Sequence, residues 1–140
     1  MKLSLLLAME NIGKPYVWAG NNPMIGLDCS GYVQIILRKL GVITDGVDRT
    51  AQQIYDLLSK TLAYVQTPKG DCVIFFGKSA SEITHIAITV NAEWMIEAAH
   101  GNSHMVLEQQ AVDKQAKIEF NRIDRRKDRV ACLFLNSPTI

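Results

Sequence analysis

Cysteine is scarce in this chain of 140 residues, with three thiols at positions 29, 72 and 132 and no two of them close together. An odd number of cysteines without a CxxC pair argues against a disulfide framework, and the ligand spacings do not match a structural zinc motif. We therefore expect free thiols and no metal site. Because Cys72 and Cys132 lie inside apolar stretches, they are predicted to be core residues, which leaves Cys29 to be explained.

Long runs of like charge are also absent. The net charge is +1, and the densest charged stretch is the short "DRRKDR" at 124–129. A nucleic-acid-binding protein normally has a stronger basic bias, so nucleic acid is not an expected partner. We interpret this stretch and Arg49 as solvated surface.

No hydrophobic stretch is long enough to cross a membrane, so membrane insertion is not expected. The N-terminal "LSLLLAM" is at the lower limit for a signal-peptide core, and it is followed by Glu10 and Asn11 instead of small residues. Its apolar residues fit one face of a helix. We expect no signal peptide, and hence a protein that is cytoplasmic when it is synthesised.

The order of the expected elements indicates the fold class. Helices come first and strands follow, which predicts an α+β fold with an antiparallel sheet rather than alternating βαβ units. The length and the 48% hydrophobic content suit a single domain over residues 1–140. Helices are expected at 2–12, 28–41 and 50–58, with a loop at 16–26. Strands are expected at 72–76, 85–90, 93–99, 117–123 and 129–135, and 106–112 is ambiguous.

The stretch "DCSG" at 28–31 puts a cysteine at the predicted start of the second helix. Free backbone N–H groups and the helix dipole stabilise a thiolate there, and a thiol attacks as its thiolate. Asp28 is a candidate N-cap that fixes the loop, although its carboxylate disfavours the thiolate. Ser30 and Gly31 are small enough to let a substrate approach. The alternative is that Cys29, like most cysteines, is an inert packing residue.

A nucleophilic thiol needs a base and a group that orients the base. His85 opens the alternating strand "HIAITV" on a face with small neighbours, so it is the best candidate base. If the hairpin to the next strand closes with an odd loop such as 90–92, Glu97 stands directly opposite His85 and can orient it. A two-residue loop would put Glu97 on the other face. His100, just beyond that strand, is the competing candidate.

The chain carries five motifs in a fixed order: "GKPYVWAG", "DCSGYV", "RTAQQ", "GDCVIFF" and "THIAITV…WMIEAA". Their combination and order resemble the NlpC-type cell-wall endopeptidases, over roughly residues 5–100. The resemblance implies a papain-like fold, with N-terminal helices packed on an antiparallel sheet. The nucleophilic cysteine would lie at a helix N-terminus and the histidine on the sheet.

The resemblance also implies roles for individual residues. Cys29 matches the nucleophile and His85 the general base, while Tyr16 matches a tyrosine that helps to bind the substrate or the oxyanion. Asp28 and Ser30 match the residues that flank the nucleophile, where Ser30 lines the substrate site. Members of the family cut amide bonds in bacterial peptidoglycan stem peptides, often after γ-linked D-glutamate, and they use no metal or other cofactor.

Two positions depart from the family's usual pattern. Ala19-Gly20 stands where the family usually has two glycines, a mild change in a tight loop. Glu97 stands where the orienting residue is most often a histidine. Glu97 keeps a hydrogen-bond acceptor at that place but adds a negative charge.

Alternatives to peptidoglycan hydrolysis remain open from the sequence. The same thioester would allow acyl transfer to an amine or an alcohol, and a non-catalytic scaffold or binding protein would have Glu97 as its altered position. Because no signal peptide is expected, delivery with a phage tail is one hypothesis, with phage tail proteins as partners and a location in the virion or at the cell wall. A secreted effector and a cytoplasmic enzyme that recycles muropeptides are the others.

Overall fold

The computed structural model describes residues 1–17, 20–22, 26–99 and 116–140. These residues form helices α1 (Leu3–Met9), α2 (Cys29–Lys39) and α3 (Ala51–Leu58), and a 3-10 helix at Ile123–Arg125. The strands are β1 (Asn21–Asn22), β2 (Gly26–Leu27), β3 (Ala63–Tyr64), β4 (Cys72–Gly77), β5 (Ile83–Thr89), β6 (Trp94–Ala99), β7 (Lys117–Arg122) and β8 (Arg129–Phe134). In these ranges, no helix has both the length and the apolar character needed to span a membrane.

Six of the described strands form one antiparallel sheet in the order β3-β8-β4-β5-β6-β7. The two shortest strands, β1 and β2, pair with each other. The helices precede the long strands along the chain, so the predicted α+β fold with an antiparallel sheet is confirmed.

Both faces of the sheet are covered. The first face packs on the helices and contributes Val73, Phe75, Ile86, Ile88 and Ile96 to the larger core. The second face holds a smaller cluster of Cys72, Ile74, Phe76, Ala87, Met95, Ile123 and Cys132. The core positions predicted for Cys72 and Cys132 are confirmed, since both are buried and free. Because side chains alternate along a strand, His85 belongs to the second face, with Ala87.

Helix α2 is amphipathic, and its apolar positions Val33, Ile36 and Leu37 are fully buried in the larger core. Burying such a side chain stabilises the fold by about 1.5–3 kcal/mol relative to leaving it exposed. Beyond the helix, Gly41 takes a φ of 75°, a left-handed conformation that glycine adopts without strain. The predicted stop at Gly41 is therefore confirmed, and the apolar side of α2 packs on the first face of the sheet.

Helix α3 begins at its predicted cap. The Thr50 Oγ1 atom accepts the N–H of Gln53 at 3.2 Å, and the Gln53 Oε1 atom accepts the N–H of Thr50 at 2.9 Å. This reciprocal capping box satisfies two backbone donors that the first turn of a helix leaves without partners.

Some local predictions were wrong. Helix α1 is shorter than the predicted 2–12, because the chain turns after Met9 and Gly13 takes a φ of 90°. The segment 16–26, predicted as a loop, contains β1 and β2, and β3 was not predicted at all. Strands of two residues contain too few side chains to show a period. The ambiguous segment 106–112 lies outside the described residues.

Asp71 ties the two ends of the chain to the start of β4. Its carboxylate accepts hydrogen bonds from Ser4 Oγ at 2.6 Å, from Ser137 Oγ at 2.5 Å and from the Ser137 N–H at 2.7 Å. The Tyr32 hydroxyl of α2 donates a hydrogen bond to the Ala8 carbonyl of α1 at 2.7 Å. These buried bonds place α2, and therefore the residue at its N-terminus, relative to the sheet.

Candidate active site

The candidate nucleophile is the first residue of α2. Asp28 precedes it in an extended conformation, and its Oδ1 atom accepts the N–H of Gly31 at 2.6 Å. The Ser30 hydroxyl donates to the same oxygen at 3.3 Å. The N-cap predicted for Asp28 is therefore confirmed, and it holds Cys29 at the end of the helix where backbone N–H groups point outward.

Gly31 is required where α2 meets the preceding loop. A Cβ atom at this position would lie 2.0 Å from the carbonyl oxygen of Gly20 and 2.8 Å from Asp28 Oδ1. The same Gly20 oxygen accepts the N–H of Asp28 at 3.1 Å. The glycine thus allows the loop to pack directly on the first turn of the helix, beside Cys29.

We expect Gly31→Ala to disturb this packing. The added methyl group must push the Gly20 carbonyl away, and overpacking of this kind costs about 1–3 kcal/mol. Thermal unfolding should show a lower midpoint, and Cys29 should lose reactivity toward a thiol reagent. Gly46→Ala is the matched control, because a Cβ there meets no heavy atom of the described residues within 4 Å. Equal behaviour of the two variants would contradict this explanation of Gly31.

The Cys29 thiol is held between opposing influences. Burial and then the Asp28 carboxylate raise its pKa to about 12. The backbone N–H groups of Ile86 and Ser30 and the charge of Arg126 lower the pKa but do not offset this rise. The hydrogen bond from Ile86 places the sulfur against strand β5, at the peptide unit that follows His85. At neutral pH the thiol is therefore protonated unless a base takes its proton.

His85 is paired with a buried carboxylate. Its Nε2 atom lies 2.5 Å from Glu97 Oε1, and Glu97 is fully buried. Because Nε2 faces Glu97, the Nδ1 atom is the ring nitrogen left to exchange a proton with a thiol. A β-bulge between Phe76 and Gly77, opposite the start of β5, distorts the ladder beside His85, as bulges do where a strand must re-aim a side chain.

The predicted hairpin loop was wrong by one residue, and the strand pairing therefore by two. The pairs Ile88–Ile96 and Thr89–Met95 place the loop at 91–93 instead of 90–92. Extended along the strands, this register sets Glu97 across from Ala87 and diagonal to His85. The loop is still odd, so Glu97 shares the face of His85, and a glutamate is long enough to reach the diagonal position.

Two residues missed by the sequence interpretation hold Glu97. Arg125 donates to Glu97 Oε2 from Nη2 at 2.7 Å and from Nε at 3.2 Å, and Asn121 donates from Nδ2 at 2.9 Å. Burial raises the pKa of Glu97, but the His85 hydrogen bond and the charges of His85 and Arg125 outweigh it, so the pKa is lowered. Glu97 is therefore ionised at neutral pH.

The prediction that the stretch DRRKDR is only solvated surface was wrong. Its Arg125 binds Glu97, and its Arg126 lies over the Phe76 ring at 5.1 Å while it makes two bonds to Asp128, at 2.7 and 3.0 Å. The Phe76 ring is in turn 5.8 Å from the His85 ring. The apolar Ile123 just before this stretch was the signal in the sequence that the segment returns to the sheet, where Ile123 is buried.

Tyr16 lies close to the candidate nucleophile. Its backbone N–H donates to the Ala116 carbonyl at 2.9 Å, next to the bridge between Pro15 and Lys117. Burial, and then the charges of Cys29 and Asp28, raise the pKa of its hydroxyl well above the usual range. The hydroxyl therefore stays protonated and can donate a hydrogen bond beside Cys29.

The structure thus brings Cys29, Tyr16, Asp28 and Ser30 to the N-terminus of α2, and His85 with Glu97 to the adjoining strands. His100, the competing orienting residue, lies outside the described residues. Within the ranges that the structure describes, no three potential metal ligands cluster together. The arrangement supplies a thiol, a base with an oriented ring, and hydrogen-bond donors for an oxyanion.

A curated relative is similar in sequence over more than half of this chain. The bifunctional muramidase/DL-endopeptidase CwlT of Bacillus subtilis is 38% identical over 84 residues, which are 59% of this chain and 24% of that protein. This chain therefore matches about a quarter of the length of that relative.

Solved structures share the fold. The NlpC/p60 domain of the peptidoglycan hydrolase SagA superposes with a TM-score of 0.68 at 20% identity, covering 94% of this chain and 95% of that one. RipD of Mycobacterium tuberculosis, described as a non-catalytic NlpC/p60 domain protein adapted to peptidoglycan binding, has a TM-score of 0.64 at 17% identity and covers 94% and 93%. The sequence profile of the NlpC/P60 family matches residues 13–122. The chain therefore belongs to the NlpC/P60 family, the family of cell-wall endopeptidases that its motifs resemble.

Proposed function

We propose that this chain is a cysteine endopeptidase that hydrolyses amide bonds in bacterial peptidoglycan stem peptides. The observation that carries the proposal is the buried His85–Glu97 pair on the strands that adjoin the helix N-terminus where Cys29 lies. The DL-endopeptidase relative supports the substrate class.

In the first half of the reaction, Cys29 gives its proton to His85 and its sulfur attacks the scissile carbonyl carbon. The carbonyl oxygen becomes an oxyanion, which accepts hydrogen bonds from the Cys29 N–H and from the Tyr16 hydroxyl. His85 then gives the proton to the leaving amine as the C–N bond breaks, and a thioester on Cys29 remains.

In the second half, a water molecule replaces the amine. The water oxygen attacks the thioester carbon while His85 takes a proton from the water. The C–S bond then breaks and releases the carboxylic product. The proton returns to Cys29. Glu97 keeps the imidazole in one orientation throughout and stabilises its charged form. Ser30, beside the nucleophile, lines the substrate site, and Asp28 holds the helix start.

The test is digestion of purified peptidoglycan and of isolated muropeptides, with mass spectrometry of the products. We expect new fragments that gain the mass of one water at an amide bond of the stem peptide. Fragments that carry an added amine instead would show acyl transfer. Intact substrate after prolonged incubation with folded protein would overturn the proposal.

The bond cut is a finer part of the proposal. We propose the bond that follows γ-linked D-glutamate, in agreement with the name DL-endopeptidase given to the relative. Product masses decide this point, because each stem-peptide bond yields a different pair of fragments. Fragments from another bond would leave the hydrolase proposal standing and correct this part.

The place where the protein acts is a separate proposal. We propose association with a phage tail, one of the hypotheses drawn from the sequence, and with it delivery to the cell wall. Mass spectrometry of purified virions tests it. Recovery of the protein from the cytosol alone would contradict it.

A second candidate function is binding of peptidoglycan without cleavage. RipD, described as a non-catalytic peptidoglycan-binding protein, has the same fold. Sedimentation with insoluble peptidoglycan separates the two candidates. Retention on the polymer without release of fragments would favour the binding protein, and release of fragments would favour the hydrolase.

A further inference from the structure

Glu97 lies in surroundings that oppose a negative charge. It is fully buried, and across the β6–β7 ladder it stands directly opposite Glu119. Two carboxylates at opposite positions of an antiparallel pair destabilise the sheet unless other groups compensate. A buried carboxylate in this place therefore needs a cation or several hydrogen-bond donors to remain ionised.

The two oxygen atoms of Glu97 have separate partners. Oε2 receives three N–H groups, two from Arg125 and one from Asn121, and Oε1 faces His85 Nε2. Since Oε2 is occupied, the carboxylate cannot rotate without losing these bonds, and Oε1 stays directed at the imidazole. Asn121 also donates to Glu119 Oε1, at 3.2 Å, and so links the two carboxylates.

Arg125 reaches this position because of the short 3-10 helix that follows β7. Ile123 of that helix is buried on the second face of the sheet, and its N–H donates to the Glu93 carbonyl at 2.8 Å. The helix thereby turns the chain back over the sheet and directs the guanidinium to Glu97. The side chain of Arg125 is still 34% exposed, so it binds Glu97 from the solvent side.

We propose that Arg125 is a positioning residue for the reaction, which acts by holding Glu97 ionised and directed at His85. The inference rests on the proposed function, since it assigns Arg125 to the same site. It explains how this chain can use a glutamate at the orienting position, where the family most often has a histidine. A histidine would need no cation beside it, whereas a buried glutamate does.

Removal of the guanidinium changes the charge balance around His85. In the part of the chain that the structure describes, the charged groups beside the pair include Glu119 from β7, Asp128, which Arg126 binds and whose carboxylate feels the His85 charge, and Arg125 itself. Arg125 lowers the pKa of Glu97, so its removal raises the pKa of this buried carboxyl and favours the protonated form. The acid limb of a pH–rate profile, below which a protonated Glu97 no longer orients His85, should therefore move to higher pH.

The test is a double-mutant cycle on kcat/KM and its pH dependence. Arg125→Ala should lower kcat/KM about 10- to 100-fold through loss of ring orientation and should move the acid limb to higher pH. In the Glu97→Gln background the same substitution should cost at most about twofold, because the charge that Arg125 holds is gone. Arg125→Lys should restore the pH profile and less of the rate, since lysine keeps the charge but not the fork of donors.

Controls separate positioning from folding and from the choice of substrate. Arg122→Ala removes a neighbouring arginine whose partners, Glu93 and Asp124, are exposed, and it should leave the rate and the profile unchanged. The pH dependence of Cys29 alkylation by iodoacetamide repeats the cycle without any substrate. If the wild type leaves muropeptides intact, the proposed function fails while this readout still decides on Arg125.

An equal loss from Arg125→Ala with and without the Glu97 carboxylate would overturn the inference. An unchanged pH profile in folded Arg125→Ala would overturn it as well. Thermal unfolding of each variant confirms that the protein compared is folded, and Arg125→Lys keeps the inference testable if the alanine variant does not fold.

Discussion

Replacing Cys29 with alanine is expected to abolish peptidoglycan cleavage, with a loss of about a million-fold if the thiol is the nucleophile. The substitution removes the protein atom that forms the covalent bond to the substrate in the proposed reaction. It leaves the N-cap intact, because that cap uses the Asp28 carboxylate and the Gly31 N–H. The variant should therefore unfold at nearly the same temperature as the wild type, and the loss can be assigned to chemistry.

Cys132→Ala is the matched control for this variant. Cys132 is a buried thiol on the second face of the sheet and takes no part in the proposed reaction. Digests by the two variants, compared by mass spectrometry of muropeptide products, should show cleavage only with Cys132→Ala. Cleavage by Cys29→Ala at a measurable fraction of the wild-type rate would contradict the assignment of the nucleophile.

Replacing His85 with alanine should have the second-largest effect, a loss of about 1,000-fold or more in kcat/KM. The reason lies in the Cys29 thiol, whose pKa is raised to about 12 by burial and by Asp28. A group with this pKa is ionised in about one molecule in 100,000 at pH 7, so reaction at that pH depends on a base that takes the proton.

The pH dependence of this variant follows from the sign of the shift. Without His85, the thiolate forms only as the pH approaches the raised pKa of Cys29, so activity and thiol reactivity should rise about tenfold for each pH unit through the neutral range. His104→Ala serves as the control, since His104 takes no part in the proposed reaction. A rate for His85→Ala within about tenfold of the wild type at pH 7 would show that another group is the base.

The sequence was sufficient for features that depend on neighbouring residues. The stretch "DCSG" predicted both the start of α2 and its Asp28 cap, because capping is a local interaction between a side chain and the next turn. The alternation in "HIAITV" likewise predicted a strand, and the structure has β5 at Ile83–Thr89. These signals are complete within a few residues of the chain.

Features that depend on distant segments were missed. The hairpin loop lies one residue later than predicted, and the strand pairing is shifted by two residues, because the Val90 N–H pairs with the Trp94 carbonyl. The loop residues alone do not reveal this choice. The role of Arg125 was hidden for a related reason. An arginine in a charged stretch is normally interpreted as a surface residue. In the folded protein, the buried Ile123 and the sheet bring Arg125 to Glu97, which is 28 residues earlier in the chain.

Site-resolved alkylation of the three cysteines at pH 7, measured in the wild type and in His85→Ala, tests the central claim most directly. We predict that iodoacetamide modifies Cys29 at least about tenfold faster than Cys72 or Cys132, and that the rate at Cys29 falls at least about tenfold in His85→Ala. The comparison with His85→Ala is needed because the other two thiols are more deeply buried. If Cys29 reacts no faster than the buried thiols, or equally fast without His85, Cys29 is not a nucleophile activated by His85.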